Sequence, residues 1–344
     1  MSLAEYMQKY LPWIEAEMRE LLAAPAASVW RHYAIMQYHM GWLDADLRPV
    51  RAAAGKRVRP LLCLLACAAA GGDPRRAVPA AAGLELLHNF SLIHDDIEDG
   101  SPTRRHRPTA WSLFGMAQAC NAGDGMFSLA HAAFYRLKAA GMAAETVLAA
   151  LERFDAMCVR LTEGQYLDMS FESRLDVSVE EYFAMIAGKT GALLAVAAEL
   201  GALLAGAEAE VVAAYRRFGA GLGRAFQLRD DILGIWGDEE VTGKSAASDL
   251  LSKKKTLPVI YALSHPDVGP RLRSLYAGPA FSQDDVAAVL VLLEAAGARE
   301  YTQAQVRDAS TGARRALEEV AARAVPAPHA ALGELLDALI ERQE

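Results

Sequence analysis

The stretch LIHDDIEDGSPTRRHRPT, residues 92–109, sets Asp95, Asp96 and Asp99 within one helical turn and then supplies Arg104, Arg105 and Arg107. Neighbours at i, i+3 and i, i+4 share a helix face, so the three carboxylates can converge. Like charges held that close repel one another, and a divalent cation relieves the repulsion. Mg²⁺ suits the set, because it takes hard oxygen ligands, one or two of them carboxylates, and completes its shell with water and phosphate oxygens. A second pair, Asp230 and Asp231, stands in FQLRDDILG within an apolar helical run. A solvated helix end is the commoner explanation of any single acidic pair, but burying uncompensated acids twice is costly. Two such clusters facing each other across a bundle would make a cage for several cations and a polyphosphate.

The bases complement these acids. Guanidinium forks match phosphate oxygens, and Arg104 and Arg105 follow Asp99 closely. Upstream, GKRVRP places Lys56, Arg57 and Arg59 where a helix begins, so their charges join the positive end of its dipole. GKT at 188–190 adds Lys189, and the polar segment 236–256, WGDEEVTGKSAASDLLSKKKT, adds Lys244 and Lys254. His88 precedes Asp95 by two turns and faces broadly the same way. Two polyphosphates bridged by metal account for this set. The TGKS within the polar segment is not a P-loop, since Gly237 and Gly243 enclose five residues instead of four and no strand precedes them.

Helices must position all of these groups. Apolar residues recur at spacings of three and four along the chain, and alternating β-branched runs are nearly absent, which predicts an all-α fold. Predicted helices include roughly 27–50, 57–70, 77–99, 109–119, 123–139, 143–170, 189–205, 208–236, 283–297 and 299–324. The breaks at AAGGDP, DGSP, AGPAFS and VPAP do not read as interdomain linkers, so a single domain spanning 1–344 is expected. A formal net charge of -8 excludes a general nucleic-acid binder, which needs an overall basic surface. Cys63, Cys67, Cys120 and Cys158 sit in apolar runs without matching histidines, so they are expected to be reduced, buried thiols instead of a zinc site or disulfide framework. The acidic start MSLAEYMQKYLPWIEAEMRE lacks the marks of a secretory signal. GALLAVAAELGALLAGA, 191–207, is short for a membrane span and is interrupted by Glu199. A cytoplasmic protein without a transmembrane segment is the expectation.

From GKRVRP to KKKTLPVI the sequence resembles the head-to-tail trans-isoprenyl diphosphate synthases, most closely the short-chain geranylgeranyl and farnesyl members. DDIEDGSPTRR is similar to that family's first aspartate-rich motif and FQLRDDILGIWGD to its second. The resemblance implies an all-α isoprenoid-synthase bundle around a deep central cavity, working as a homodimer. It also implies a prenyltransferase that condenses isopentenyl diphosphate with an allylic diphosphate by ionisation, condensation and elimination. Asp95, Asp96, Asp99, Asp230 and Asp231 would hold Mg²⁺, about three ions per site. By position, Lys56, Arg59, His88 and Arg105 would bind isopentenyl diphosphate. Arg104, Lys189, Lys244 and Lys254 would bind the allylic diphosphate, with Gln165 and Asp168 near it. Thr190 and Gln227 would line the reacting centre and act catalytically with Lys189 and Arg104.

Two details refine this. The full second motif carries a third Asp four residues after its first, where this chain has Gly234. Product length in the family is set mainly just before the first acidic cluster, where this chain has Phe90 and Ser91. A small residue at 91 with no insertion in the motif most resembles a geranylgeranyl (C20) synthase. Farnesyl (C15) synthesis is the alternative, with Met116, Met126 or Phe127 closing the cavity. A class I terpene cyclase would show an Asn/Ser/Glu metal motif in place of Asp230 and Asp231. A regulatory subunit of a heteromeric synthase would lack the acidic clusters.

Overall fold

Helical periodicity translates into helices almost throughout the computed structural model of the chain, which describes residues 1–52, 55–237, 247–278 and 280–341. In chain order these are α1 (Leu3–Leu21), α2 (Trp30–His39), α3 (Val58–Ala69), α4 (Pro74–Glu98), α5 (Ala110–Phe114), α6 (Met116–Ala139), α7 (Ala144–Phe171) and α8 (Val179–Ile186). A π-helical turn, Ala187–Gly191, leads into α9 (Ala192–Leu204) and α10 (Ala209–Trp236). The rest are α11 (Ser248–Leu251), α12 (Leu257–Ser264), α13 (Gly269–Ala277), α14 (Gln283–Ala295), α15 (Ala298–Glu318) and α16 (Pro326–Ile340). Among the described residues, the strands are two-residue pieces, β1 (Thr103–Arg104) and β2 (Arg107–Pro108), paired antiparallel.

Two compact units share the chain, neither of them a continuous half. The first takes in 1–153, 197–212 and 323–332, and the second takes in 154–196, 213–322 and 333–344.

In the first unit α4 is the central helix, in contact with α1, α3 and α6. Asp73 caps it by accepting from the Arg75 amide at 2.9 Å, and Pro74 opens the first turn, both favoured helix-start chemistry. Its residues 80–87 are buried on every side, as expected of a helix apolar all round. Gly83 permits the close approach of α6: a Cβ there would stand 2.8 Å from the Ala130 carbonyl oxygen and 2.9 Å from the Phe134 ring. This packing fixes the helix whose C-terminal end carries Asp95, Asp96 and Asp99.

In the second unit α7 crosses the π turn through two glycines. A Cβ on Gly164 would lie 2.1 Å from the Lys189 nitrogen, and one on Gly188 would lie 2.7 Å from the Arg160 carbonyl oxygen. The contact leaves room for the widened turn that presents Lys189 and Thr190. Such π segments recur at functional sites. The run Val179–Leu204 is long and apolar enough to cross a membrane by length and composition, but 67% of its most apolar window is buried within the protein. Its Glu199 accepts from Arg153 Nε at 3.0 Å. A buried core helix accounts for the composition.

Several boundaries differ from the expectations. The helix predicted over 27–50 ends at His39, because Gly41 adopts φ +82° and the chain turns back, with Leu43 bridging to Pro49. Gly115, at φ +83°, divides α5 from α6 five residues before the predicted break at 120–122. The segment 269–277 is helical although no periodic signal marked it. Cys63, Cys67 and Cys158 are buried free thiols as expected, whereas Cys120 is exposed.

Candidate active site

The first cluster belongs to the first unit and begins with α4. Asp95 and Asp96 lie in its last turn, and Asp99 closes it, its amide donating to the Asp95 carbonyl at 2.9 Å. Asp96 is 2% exposed, while Asp99 and the neighbouring Glu98 are exposed. Arg104 Nε donates to Asp96 Oδ1 at 2.7 Å, and Nη2 stands 3.8 Å from Asp95 Oδ2. Arg104 thus braces the acids it was expected to assist.

A hairpin, not a helix end, presents these arginines. Arg104 pairs with Arg107, and the two turn residues, Arg105 (φ +51°) and His106 (φ +60°), are both left-handed without being glycine. Such a turn normally asks for Asn-Gly, and each residue held there costs of the order of 1 kcal/mol or more. Surrounding bonds enforce it. Arg107 donates to the carbonyls of Leu43 (2.6 Å) and Tyr38 (3.2 Å) and stacks on the Tyr38 ring, whose hydroxyl donates to the Pro108 carbonyl at 2.7 Å. Trp111 Nε1 donates to the Ser101 carbonyl at 2.8 Å. Arg107 is therefore a structural tie.

The turn directs Arg105 over Gly55, where a Cβ would come within 2.8 Å of its Nη2. Glycine at 55, itself at φ +76°, serves both needs at once. Next to it, Arg57 (φ +48°) is buried and donates from Nη1 to Glu85 Oε1 at 2.7 Å, and Asn89 Nδ2 donates to the same oxygen at 3.0 Å. Arg57 is thereby committed to the core, while Lys56 is exposed and Arg59 is half-buried in the first turn of α3. Losing one partner of a buried ion pair leaves the other uncompensated. Glu85→Ala is expected to cost about 3 kcal/mol, seen as a lower urea midpoint at unchanged m-value.

The combined field of these arginines is strongly positive. Burial, with Arg59, Arg105 and Arg104 close by, holds His88 well below the ordinary histidine range. The same causes, burial first and then Arg104, Arg105, Arg57 and Arg107, push His39 down to about 3. His39, whose buried Nε2 has no hydrogen-bond partner among the described residues, gave no signal in the sequence. A local positive patch in a chain of net charge -8 is suited to an anion.

Divalent cations fit the acids beside it. Asp96 Oδ2 is buried without a hydrogen-bond partner among the described residues. Burial pushes the Asp96 carboxyl up to about 6 even against the pull of Arg104. Asp95 and Asp99 add hard oxygen donors on the same turn. Just before them, the Phe90 ring meets those of Phe127 (5.0 Å) and His94 (4.8 Å). Ser91 keeps its hydroxyl on its own helix, donating to the His88 carbonyl at 2.8 Å.

The second cluster lies wholly in the second unit. Lys189 Nζ donates to Asp168 Oδ2 at 2.5 Å, and Gln165 is half-buried one turn earlier on α7. Thr190 Oγ1 donates to Gln227 Oε1 at 2.8 Å, and Gln227 Nε2 donates to Asp231 Oδ1 at 3.1 Å. The other Asp231 oxygen accepts from the Tyr182 hydroxyl and from the Leu257 amide, the latter at 2.9 Å. Burial pushes the Asp231 carboxyl up to about 6, opposed by these donors and by Lys254. With both oxygens engaged by protein donors, Asp231 anchors the network, and the half-buried Asp230 is the better placed of the pair for a cation. Tyr182, the partner that holds Asp231, was not visible in the sequence because 49 residues separate them.

Among the neighbouring lysines, Lys253 Nζ donates to the carbonyls of Leu275, Tyr276 and Gly278, and Lys255 Nζ to those of Glu172 and Lys253. Lys254 is exposed, and its charge pulls the Asp231 carboxyl down against burial. Lys244 lies outside the described residues.

The polyprenyl synthetase family model matches residues 41–293. The (2E,6E)-farnesyl diphosphate synthase of Mycobacterium tuberculosis (strain H37Rv) is 44% identical over 295 residues, 84% of this chain and 80% of that protein. The geranylgeranyl diphosphate synthase of the same organism is 42% identical over 254 residues, 73% and 71% of the two chains. The crystal structure of a polyprenyl synthetase from Streptomyces coelicolor A3(2) matches with a TM-score of 0.88 at 37% identity, covering 98% of each chain. Acids, bases and helices in this arrangement, together with these matches, show that the chain belongs to the polyprenyl synthetase family and is a trans-isoprenyl diphosphate synthase with the all-α isoprenoid-synthase fold.

Proposed function

We propose that this prenyltransferase extends allylic diphosphates with isopentenyl diphosphate as far as geranylgeranyl diphosphate (C20), acting as a cytoplasmic homodimer with residues 1–344 as one catalytic domain. The observation that carries the product assignment is at Phe90 and Ser91. The Phe90 ring is occupied with Phe127 and His94, and the small Ser91 folds its hydroxyl back onto α4 one turn before Asp95. One turn before Asp95, where a growing chain would pass, α4 then carries a small side chain instead of an aromatic one. Farnesyl diphosphate is the second reading, favoured by the 44% identity to a farnesyl diphosphate synthase.

Each group has a role in this reading. Lys56, Arg59, Arg105 and neutral His88 bind isopentenyl diphosphate. The neutral imidazole donates a hydrogen bond without adding charge to an already positive patch. Arg104, Lys189, Lys254 and Lys244 bind the allylic diphosphate, with Gln165 and Asp168, the partner of Lys189, near it. Magnesium, about three ions for which Asp95, Asp96 and Asp99 of the first cluster and Asp230 and Asp231 of the second are the ligand groups, would supply positive charge to offset the negative charge growing on the leaving diphosphate. As the allylic C–O bond breaks, Lys189 and Arg104 stabilise the same charge from fixed positions. Thr190 and Gln227, locked to each other and to Asp231, turn oxygen lone pairs toward the carbocation. The isopentenyl double bond attacks the cationic carbon, and a proton then leaves to a pyrophosphate oxygen, restoring the alkene. The reaction requires that water, which would quench the cation, be kept from the reacting carbon.

The test is to incubate the enzyme with isopentenyl diphosphate, Mg²⁺ and each of dimethylallyl, geranyl and farnesyl diphosphate, and to measure product length by mass. C20 product is expected from all three primers. Accumulation of C15 with farnesyl diphosphate left unextended overturns the assignment. Ser91→Phe is expected to shift the main product to C15, and an unchanged product would place the floor of the chain's path elsewhere.

A further inference from the structure

The packing of α6 on α4 brings together three side chains that the acidic clusters do not use. A Cβ on Gly123 of α6 would lie 2.3 Å from His94 Nε2 and 2.4 Å from its Cδ2, so the His94 imidazole of α4 occupies the volume that a side chain at 123 would fill. The Phe90 ring packs against the same imidazole, with centroids 4.8 Å apart. Cys120 and Asp124 stand one turn apart on α6, on a shared face. His94 Nε2 lies 3.7 Å from Asp124 Oδ1 and 3.2 Å from the Cys120 carbonyl oxygen. A ring nitrogen of His94, Cys120 Sγ and a carboxylate oxygen of Asp124 are all within 4.8 Å of one another. The sequence shows cysteines without matching histidines because this histidine arrives from another helix, 26 residues from Cys120.

Imidazole, thiolate and carboxylate are the ligands of tetrahedral zinc, each about 2.0–2.3 Å from the ion and hence about 3.5 Å from one another. His94 and Asp124 stand close to that span, and Cys120, being exposed, is free to turn its sulfur toward them. A thiolate ligand suits zinc and not Mg²⁺, which takes hard oxygen donors, so this set differs in chemistry from the aspartate clusters. His94 adjoins Asp95 in sequence, but successive residues of a helix point about 100° apart, and His94 is the one turned to α6. Burial holds the Cys63 thiol well above the ordinary range and pushes those of Cys67 and Cys158 up to about 12. Cys120 is therefore the thiol open to a metal ion.

We propose that His94, Cys120 and Asp124 bind one zinc-class divalent ion per chain, with the fourth position left to water, at a site separate from the aspartate clusters. Cys120 binds as its thiolate, its proton passing to the buffer. The imidazole carries its proton on Nδ1, and Nε2 exchanges its contact with the Cys120 carbonyl for the ion. The bound ion ties the end of α4 to α6 beside Asp95. The proposal does not depend on which reaction the aspartate clusters serve.

The test titrates Co²⁺, a coloured substitute for zinc, into the reduced full chain with excess Mg²⁺ present to occupy the oxygen sites. A thiolate-to-cobalt charge-transfer band in the near ultraviolet is expected, saturating at one ion per chain and bleached by added Zn²⁺, whose filled d shell is colourless. Cys120→Ala is expected to abolish the band. His94→Gln and Asp124→Asn are each expected to weaken Co²⁺ binding by at least about tenfold, since removing a group that merely supports a ligand already costs that much. Cys120 and Asp124 are exposed, so their variants should melt with the wild type when no transition metal is added. Absence of the band in the wild type overturns the proposal, as does a band that survives Cys120→Ala or wild-type Co²⁺ affinity in either of the other variants. Should His94→Gln fail to fold, Cys120→Ala and Asp124→Asn decide between the outcomes.

Discussion

Asp95→Asn is expected to lower kcat by about a hundred- to a thousandfold, the range observed when a group that stabilises transition-state charge is removed. The amide has the same size but offers a weaker, neutral oxygen. Asp95 lies in the final turn of α4 and is only partly exposed, so the substitution disturbs neither helix nor core. Melting should stay close to wild type. The measurement is kcat at saturating substrates across an Mg²⁺ series, and a loss below tenfold at every concentration would contradict the metal assignment. Asp96→Asn is a useful contrast, because Asp96 is buried against Arg104, so its loss should disturb the placement of Arg104 as well.

Lys189→Ala should be nearly as damaging, lowering kcat about a hundredfold. Lys189 is the cation that the π turn presents, and its present partner is Asp168 at 2.5 Å. An arriving diphosphate would compete with that carboxylate for the ammonium. In the proposed reaction, removing the lysine would take away a charge that offsets the leaving diphosphate and leave Asp168 to repel it. Lys189→Arg is expected to rescue poorly, since the planar guanidinium is larger and places its charge differently from an ammonium. Steady-state kinetics with varied allylic substrate check both variants. A Lys189→Ala enzyme with wild-type kcat and only a raised KM would confine Lys189 to ground-state binding.

Both acidic clusters, Arg104, Arg105, Lys189 and His88 stand out in the sequence because their chemistry is unusual over short spacings that a helix makes meaningful. The all-α class was legible for the same reason. What stayed hidden depends on long separations or on strain. The hairpin around Arg105 and His106 uses two non-glycine residues in left-handed backbone, a choice that turn propensities argue against. The pairing of Arg57 with Glu85 and of Tyr182 with Asp231 crosses 28 and 49 residues, where no periodicity applies. The close approach of Asp249 to Gly234 joins residues on either side of a polar segment, which no local spacing shows. The helix expected over 27–50 overran because Gly41 and Pro49 were outweighed by apolar spacing, although glycine and proline are the stronger signal there.

The most direct measurement follows labelled isopentenyl diphosphate and released pyrophosphate together, with geranyl diphosphate as primer, with and without a chelator. Chain elongation predicts one pyrophosphate released for each labelled unit incorporated, both abolished by chelation and restored by Mg²⁺. Pyrophosphate release that leaves isopentenyl diphosphate unconsumed would instead mark a cyclase, and no release at all would mark a silent subunit; either result contradicts the account.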